Sequence, residues 1–181
     1  MNAKKDIFRS ILVLVLICLV VSGALAAVNS FTAPVSAANA AAREDAARKN
    51  MIPDAARFSP VTGVSLPQSV VSASRAETAD GGCAGYVFTV KGKGFGGTVT
   101  VMCAIAENGT VLRFETLDVS SETATLGGRA ADPAYTSQYV GKDGTLSGID
   151  GISGATITSN ACRKCAEDAF AAFRAIREAG Q

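Results

Sequence analysis

The chain has 181 residues, 48% of them apolar, with 17 Lys and Arg against 16 Asp and Glu, and it contains neither histidine nor tryptophan. Without histidine there is no Ser-His-Asp or Cys-His catalytic unit, no His-bearing zinc site and no His-ligated haem. Chemistry has to come from hydroxyls, carboxylates, cysteines or a bound cofactor, and the length suits one compact domain plus one unusually apolar segment.

The apolar segment comes first. From Ile7 to Val28 the polar interruptions are Arg9, Ser10, Cys18 and Ser22. At about 1.5 Å per residue a helix of this length reaches roughly 30 Å, the thickness of a bilayer's hydrocarbon core. Lys4, Lys5 and Arg9, opposed only by Asp6, place the N-terminus in the cytoplasm and the rest of the chain outside. The expectation is a single-pass anchor in the cytoplasmic (inner) membrane, with residues 1–30 as basic tip and span. A cleaved signal peptide is the alternative, because Ser22-Gly23-Ala24-Leu25-Ala26 supplies small residues after an apolar core. A lipoprotein does not fit, since Ile17 precedes Cys18. Of the charged residues, Lys4, Lys5, Arg9 and Asp6 precede residue 29, which leaves 14 basic against 15 acidic side chains. No basic face for nucleic acid or anionic lipid is expected.

Val35 to Asn50 is alanine-rich with Arg43, Glu44, Asp45, Arg48 and Lys49 as its polar face, and it reads as a helix leaving the membrane and ending before Pro53. Pro53, Pro60, Gly63 and Pro67 then mark a surface connection, so residues 31–69 form a helix and connecting segment. The globular domain is expected over residues 70–181. Three or four strands open it: Val70 to Glu77, Cys83 to Lys91 with Tyr86, Phe88 and Val90 on one face, a run alternating at Val99, Val101, Cys103 and Ile105, and Val111 to Val119. Asp80-Gly81-Gly82 and Asn108-Gly109 are hairpin signals, since these residues tolerate positive φ. Thr158 to Ala179 carries Cys162, Cys165, Ala166, Ala169, Phe170, Phe173 and Ile176 at helical spacing. The fold expected is α+β, an extracytoplasmic antiparallel meander covered by helices.

Three motifs bear on chemistry. Gly92-Lys93-Gly94-Phe95-Gly96-Gly97 matches G-x-G-x-x-G, but a strand pattern follows it, so no helix N-terminus is there to receive a pyrophosphate. It reads as a glycine hairpin whose backbone could approach a flat ligand closely. Cys162-Arg163-Lys164-Cys165 is a lone C-x-x-C near a helix start, to be read as core or as a redox pair whose thiolate the helix dipole would favour. Without a second pair or a histidine, zinc lacks ligands. Cys83 and Cys103 lie in strands and could pair. The third motif is Asp150-Gly151-Ile152-Ser153-Gly154-Ala155-Thr156-Ile157-Thr158-Ser159. It can be a polar turn in which Thr158 or Ser159 caps the last helix. It also sets the Thr156 hydroxyl beside Gly154 and Ala155 just before a helix N-terminus, where an anionic phosphate is favoured.

Asp150 to Thr156 resembles the D-x-x-[ST]-G-A-T flavinylation motif of the FMN-binding domain shared by the G subunit of the Rnf electron-transport complex and the C subunit of the sodium-translocating NADH:quinone reductase. The likeness extends over Gly85-Tyr86-Val87-Phe88, Gly94 to Gly97, Asn108-Gly109, and Glu122-Thr123 with Leu126-Gly127. Ala124-Thr125 stand where that family runs Pro-Gly, so a differently shaped loop is expected there.

The resemblance implies an FMN joined to Thr156 through a phosphoester. Ser153, Gly154 and Ala155 would let the phosphate and ribityl chain reach the hydroxyl, and Leu126 and Gly127, with Gly94 to Gly97, would border the ring. Glu122 and Thr123 would be further flavin contacts. It also implies a flavin transferase for maturation and the other subunits of a complex passing electrons between ferredoxin and NAD while moving Na⁺ or H⁺. The chain's short length is closer to the Rnf protein than to its quinone-reductase relative. The C subunit of a sodium-translocating NADH:quinone reductase, a stand-alone extracytoplasmic flavinylated reductase and a non-catalytic membrane-tethered scaffold are the other readings.

Overall fold

A computed structural model describes residues 3–180; of residues 3–6, 37, 40 and 41, among them Lys4 and Lys5 of the basic tip, it describes the backbone only. The chain divides into two compact units, Met1–Arg43 and Glu44–Gln181. The first is helical, and α1 runs over Ala3–Met51 without a break, Pro34 included. The alanine-rich stretch from Val35 to Asn50 is thus a continuation of the apolar helix. Pro34 has no N–H to give the preceding turn. Ile7–Ser36 is the stretch long and apolar enough to cross a membrane.

The second unit is built on a five-stranded antiparallel sheet in sequential order. Its strands are β1 (Arg57–Pro60), β2 (Val70–Glu77), β3 (Cys83–Lys93), β4 (Thr98–Ile105) and β5 (Val111–Asp118). The α+β expectation holds, with one strand more than the sequence suggested. β1 lies in the stretch read as a surface connection, and it pairs Arg57 with Glu77 and Pro60 with Ser74. It is an edge strand, where a proline lacking a donor is tolerated. The compact unit therefore takes in part of the 31–69 segment.

The period-two alternation of the strands divides the sheet's two faces. Tyr86, Phe88 and Val90 of β3 and Val99, Val101, Cys103 and Ile105 of β4 share one apolar core with Cys162, Cys165, Ala169, Phe170 and Ile176. Those last residues belong to α3, Thr156–Glu178, whose i, i+3, i+4 stripe matches the sheet's greasy face. Gly92 permits the close approach, since a Cβ there would stand 2.8 Å from Cys165 Sγ. On the other face Val87, Met102 and Ala104 pack on Met51 and Ile52. There Glu44 Oε1 accepts the Ser72 and Thr89 hydroxyls, each at 2.8 Å. The sheet is a middle layer between the end of α1 and α3.

Between β5 and α3 the chain makes a 3-10 turn at Gly127–Ala131, the short α2 at Pro133–Thr136 and another 3-10 turn at Ser137–Tyr139. Tyr139 is fully buried and stacks on Phe114, with ring centroids 3.8 Å apart. Its hydroxyl meets that of Tyr135 at 2.8 Å, and Tyr135 in turn donates to the Ser159 carbonyl at 3.2 Å. The connection is thereby seated on the first turn of α3.

Candidate functional site

The loop from Asp150 to Ala155 is held by short local bonds. The Asp150 N–H donates to Gln138 Oε1 and the Ala155 N–H to the Ile152 carbonyl. Ser159 Oγ accepts the Ile152 N–H at 2.8 Å and donates to the Ala155 carbonyl at 3.0 Å. Gly154 turns the chain at φ +79°, where Leu126 Cδ2 would stand 3.2 Å from any Cβ. The result is that α3 starts at Thr156, two residues earlier than the sequence suggested, with Ala155 at the N-cap position and no side-chain cap. The capping expectation for Thr158 and Ser159 is overturned. Both are buried; the Thr158 hydroxyl donates to the distant Glu122, and that of Ser159 is taken up by the local bonds to Ile152 and Ala155. Thr156 is exposed, and among the described residues no hydrogen bond involves its hydroxyl. The uncapped N–H groups of the first helical turn favour an anion.

Glu122 forms the facing wall. Its Oε1 accepts the Gly96 N–H at 2.9 Å and its Oε2 the Thr158 hydroxyl at 2.7 Å. Burial alone would raise this carboxyl's pKa. The hydrogen bonds from Thr158 and from the N–H groups of Gly96, Gly97 and Phe95 outweigh it and hold the group below the usual carboxylate value. A Cβ on Gly94 would collide with Glu122 Oε1 and one on Gly127 with Oε2, while one on Gly96 would strike the Ser121 carbonyl. The glycine turn does join two strands as expected, but what it lets in closely is the chain's own Ser121-Glu122. The Glu122 loop closes with the Thr123 carbonyl accepting from the N–H groups of Leu126 and Gly128. Neither Ala124 nor Thr125 has a positive φ, so the loop does without the Pro-Gly of the family pattern.

Between these walls lies a cleft of about 400 Å³ lined by Phe95, Glu122, Thr123, Leu126, Gly127, Gly154, Ala155, Thr156, Ile157 and Thr158. Ligand pockets run from roughly 300 to 1,000 Å³. The fold thus gathers Thr156, Gly154, Ala155, Leu126, Gly127, Glu122 and Thr123 around one space. Ser153 is exposed and is not among the lining residues. Phe95 lies in the Gly94 to Gly97 turn expected to border the ring, although the sequence reading did not single it out, and Ile157 and Thr158 were missed as cleft residues. Phe95 is 76% and Ile157 53% exposed; an aromatic set among glycines was a signal for the first, and nothing local marked the other two.

The cysteines take no part. Among the described residues all five are free. Burial pushes the thiols of Cys103, Cys162 and Cys165 up to about 12, with Glu122 adding to the effect at Cys162. The C-x-x-C is core, since desolvation overrides the helix dipole that would have favoured a thiolate. Cys103 faces Phe88 and Cys83 faces Glu77 across their strands, so these two do not pair with each other.

Comparison with known proteins bears on the same residues. An FMN-binding domain model matches residues 94–171, from the glycine turn through most of α3. The G subunit of the ion-translocating oxidoreductase complex of Methanosarcina acetivorans is 30% identical over 172 residues, covering 89% of this chain and 91% of that protein. The chain belongs to the family of Rnf G subunits. A second member, the G subunit of the proton-translocating ferredoxin:NAD(+) oxidoreductase complex of Clostridium ljungdahlii, is 25% identical over 92% of this chain and 91% of its own. The fold of Shewanella oneidensis NqrC is shared at a TM-score of 0.50 and 19% identity, over 66% of this chain and 67% of that one.

For a member of this family the cofactor to test against the cleft is FMN, and the residues fit it. The apolar side chains of Phe95, Leu126 and Ile157 suit a flat ring, and the uncapped start of α3 suits a phosphate.

Proposed function

We propose that this chain is the FMN-bearing electron carrier of an Rnf-type membrane complex, working between ferredoxin and NAD while the complex moves Na⁺ or H⁺. The flavin is joined by a phosphoester to Thr156 Oγ1. One observation carries the reading: Thr156 is exposed at the uncapped start of α3, on the wall of a cleft whose other residues come from the glycine turn and the Glu122 loop. Family membership supports the cofactor and the complex.

When bound, FMN supplies one- or two-electron transfer. The chain supplies the rest. The N–H groups of the first turn of α3 would hold the phosphate, Ser153, Gly154 and Ala155 would leave its approach clear, and Leu126, Gly127, Thr123 and Phe95 would flank the ring. A threonine hydroxyl is a weak nucleophile without a base, and among the described residues no hydrogen bond involves the Thr156 hydroxyl. Attachment therefore calls for a separate flavin transferase. Ile7–Ser36 anchors the chain once in the cytoplasmic membrane, N-terminus inside, with the cleft-bearing domain outside. There a covalent bond keeps the flavin from being lost by dilution.

Co-expression with a flavin transferase tests this. The wild type is expected to carry flavin fluorescence through a denaturing gel and to gain one FMN phosphoryl unit by intact mass, and Thr156→Ala to lose both. Label retained on the variant would put the bond on another hydroxyl. An unmodified wild type would leave a tethered scaffold.

A further inference from the structure

Glu122 is 9% exposed and lies on the wall of the cleft. It joins segments far apart in sequence: Gly96 in the turn between β3 and β4, 26 residues away, and Thr158 in the first turn of α3, 36 residues away. The space around it is shaped to the carboxylate, because Gly94 and Gly127 flank its two oxygens and a Cβ at either position would overlap them. Its hydrogen-bond donors are a hydroxyl and peptide N–H groups, all neutral, and among the described residues no ion pair includes it. The charge is stabilised but not cancelled.

We propose that Glu122 is a positioning residue for the flavin site: an ionised carboxylate that ties the turn carrying Phe95 to the helix start carrying Thr156, and whose uncancelled negative charge lowers the reduction potential of FMN in the cleft. The proposal rests on the flavin reading above and departs from a simple contact role for Glu122. Reduction of a flavin adds two electrons and up to two protons drawn from solvent. A fixed negative charge at the wall opposes the arrival of the electrons, and does so more strongly where water is excluded. The lowered pKa of the group agrees with a charge that persists at neutral pH. Glutamine would fill the same space, its carbonyl accepting from Gly96 and its amide donating to the Thr158 hydroxyl. The two side chains therefore separate charge from shape.

The test uses the full chain in detergent, flavinylated by co-expression with the transferase, and titrated with dithionite against a redox dye. Glu122→Gln is expected to shift the flavin potential to a more positive value than wild type. An unchanged or more negative potential overturns the proposal. Should the variant fail to fold, ¹³C NMR of the wild-type Glu122 carboxyl decides whether the charge exists: titration below the ordinary glutamate range supports it, and titration near or above neutral pH overturns it. A wild type without flavin despite the transferase would remove the flavin reading, and with it the claim about potential. A flavinylated wild type with an insensitive potential would remove this inference alone.

Discussion

Ser159 Oγ accepts the backbone N–H of Ile152 at 2.8 Å, so a side chain one turn inside α3 fixes the loop that delivers Thr156 to the helix start. Both residues are buried, and water cannot replace the bond. Ser159→Ala strands the Ile152 N–H, and leaving a buried donor unmet costs about 1–3 kcal/mol. Thermal or denaturant unfolding of the variant is expected to register a loss of that size, together with reduced flavin incorporation. Wild-type stability would mean the loop is held by its backbone bonds alone.

Gly92 packs directly against α3. A Cβ at position 92 would meet Cys165 Sγ at 2.8 Å and the Ala161 carbonyl at 3.1 Å. Gly92→Ala is expected to destabilise by about 1–3 kcal/mol, the usual cost of overpacking. Adding Cys165→Ala removes the nearer of those atoms. The double variant should therefore lose less than the two single losses combined, as a double-mutant cycle would measure.

Acid should weaken the fold partly through Glu122. Its pKa is lower folded than unfolded, so the unfolded chain binds more protons in the window between the two values. The stability the group contributes is complete above its unfolded value, about 4.3, and fades as pH falls through the folded one. Glu44 acts with the same sign: burial would raise it, but the bonds from Thr89, Ser72 and Arg48 leave it lowered. Unfolding measured from pH 6 downward, to about pH 3, should give a shallower loss for Glu122→Gln than for wild type. Equal slopes would refute a low folded pKa.

Thiol labelling tests the reading of the C-x-x-C as core. Cys103, Cys162 and Cys165 are buried with pKa values near 12, and the thiolate is the reactive form. At pH 8, about four units below those values, all three should resist iodoacetamide until the chain is unfolded. Rapid native labelling of Cys162 or Cys165, located by peptide mapping, would reopen a redox role.

The elements legible in the sequence were those with a strong local signature. β2 to β5 announce themselves by alternation and by turn residues at Asp80-Gly81-Gly82 and Asn108-Gly109, and Tyr86, Phe88 and Val90 face the core that the pattern assigned them. β1 has four residues, one a proline, which is too few for a period to emerge; it exists because the edge of β2 was there to pair with. In the site, Gly154, Ala155 and Thr156 were readable because they are contiguous. Phe95 and Thr158 joined them only through folding.

The sequence by itself determined an apolar anchor, an antiparallel meander, an amphipathic closing helix and a threonine set among small residues. All of these depend on near neighbours along the chain, where periods of two and 3.6 residues carry the information. Tertiary structure alone decided that the glycine turn packs on Glu122, that the Thr158 hydroxyl donates to that carboxylate instead of capping the helix, and that the cysteine pair is buried in the core. Each of these outcomes depends on which distant atoms fill the adjoining space, because burial, steric overlap and desolvation arise only once separated segments pack together.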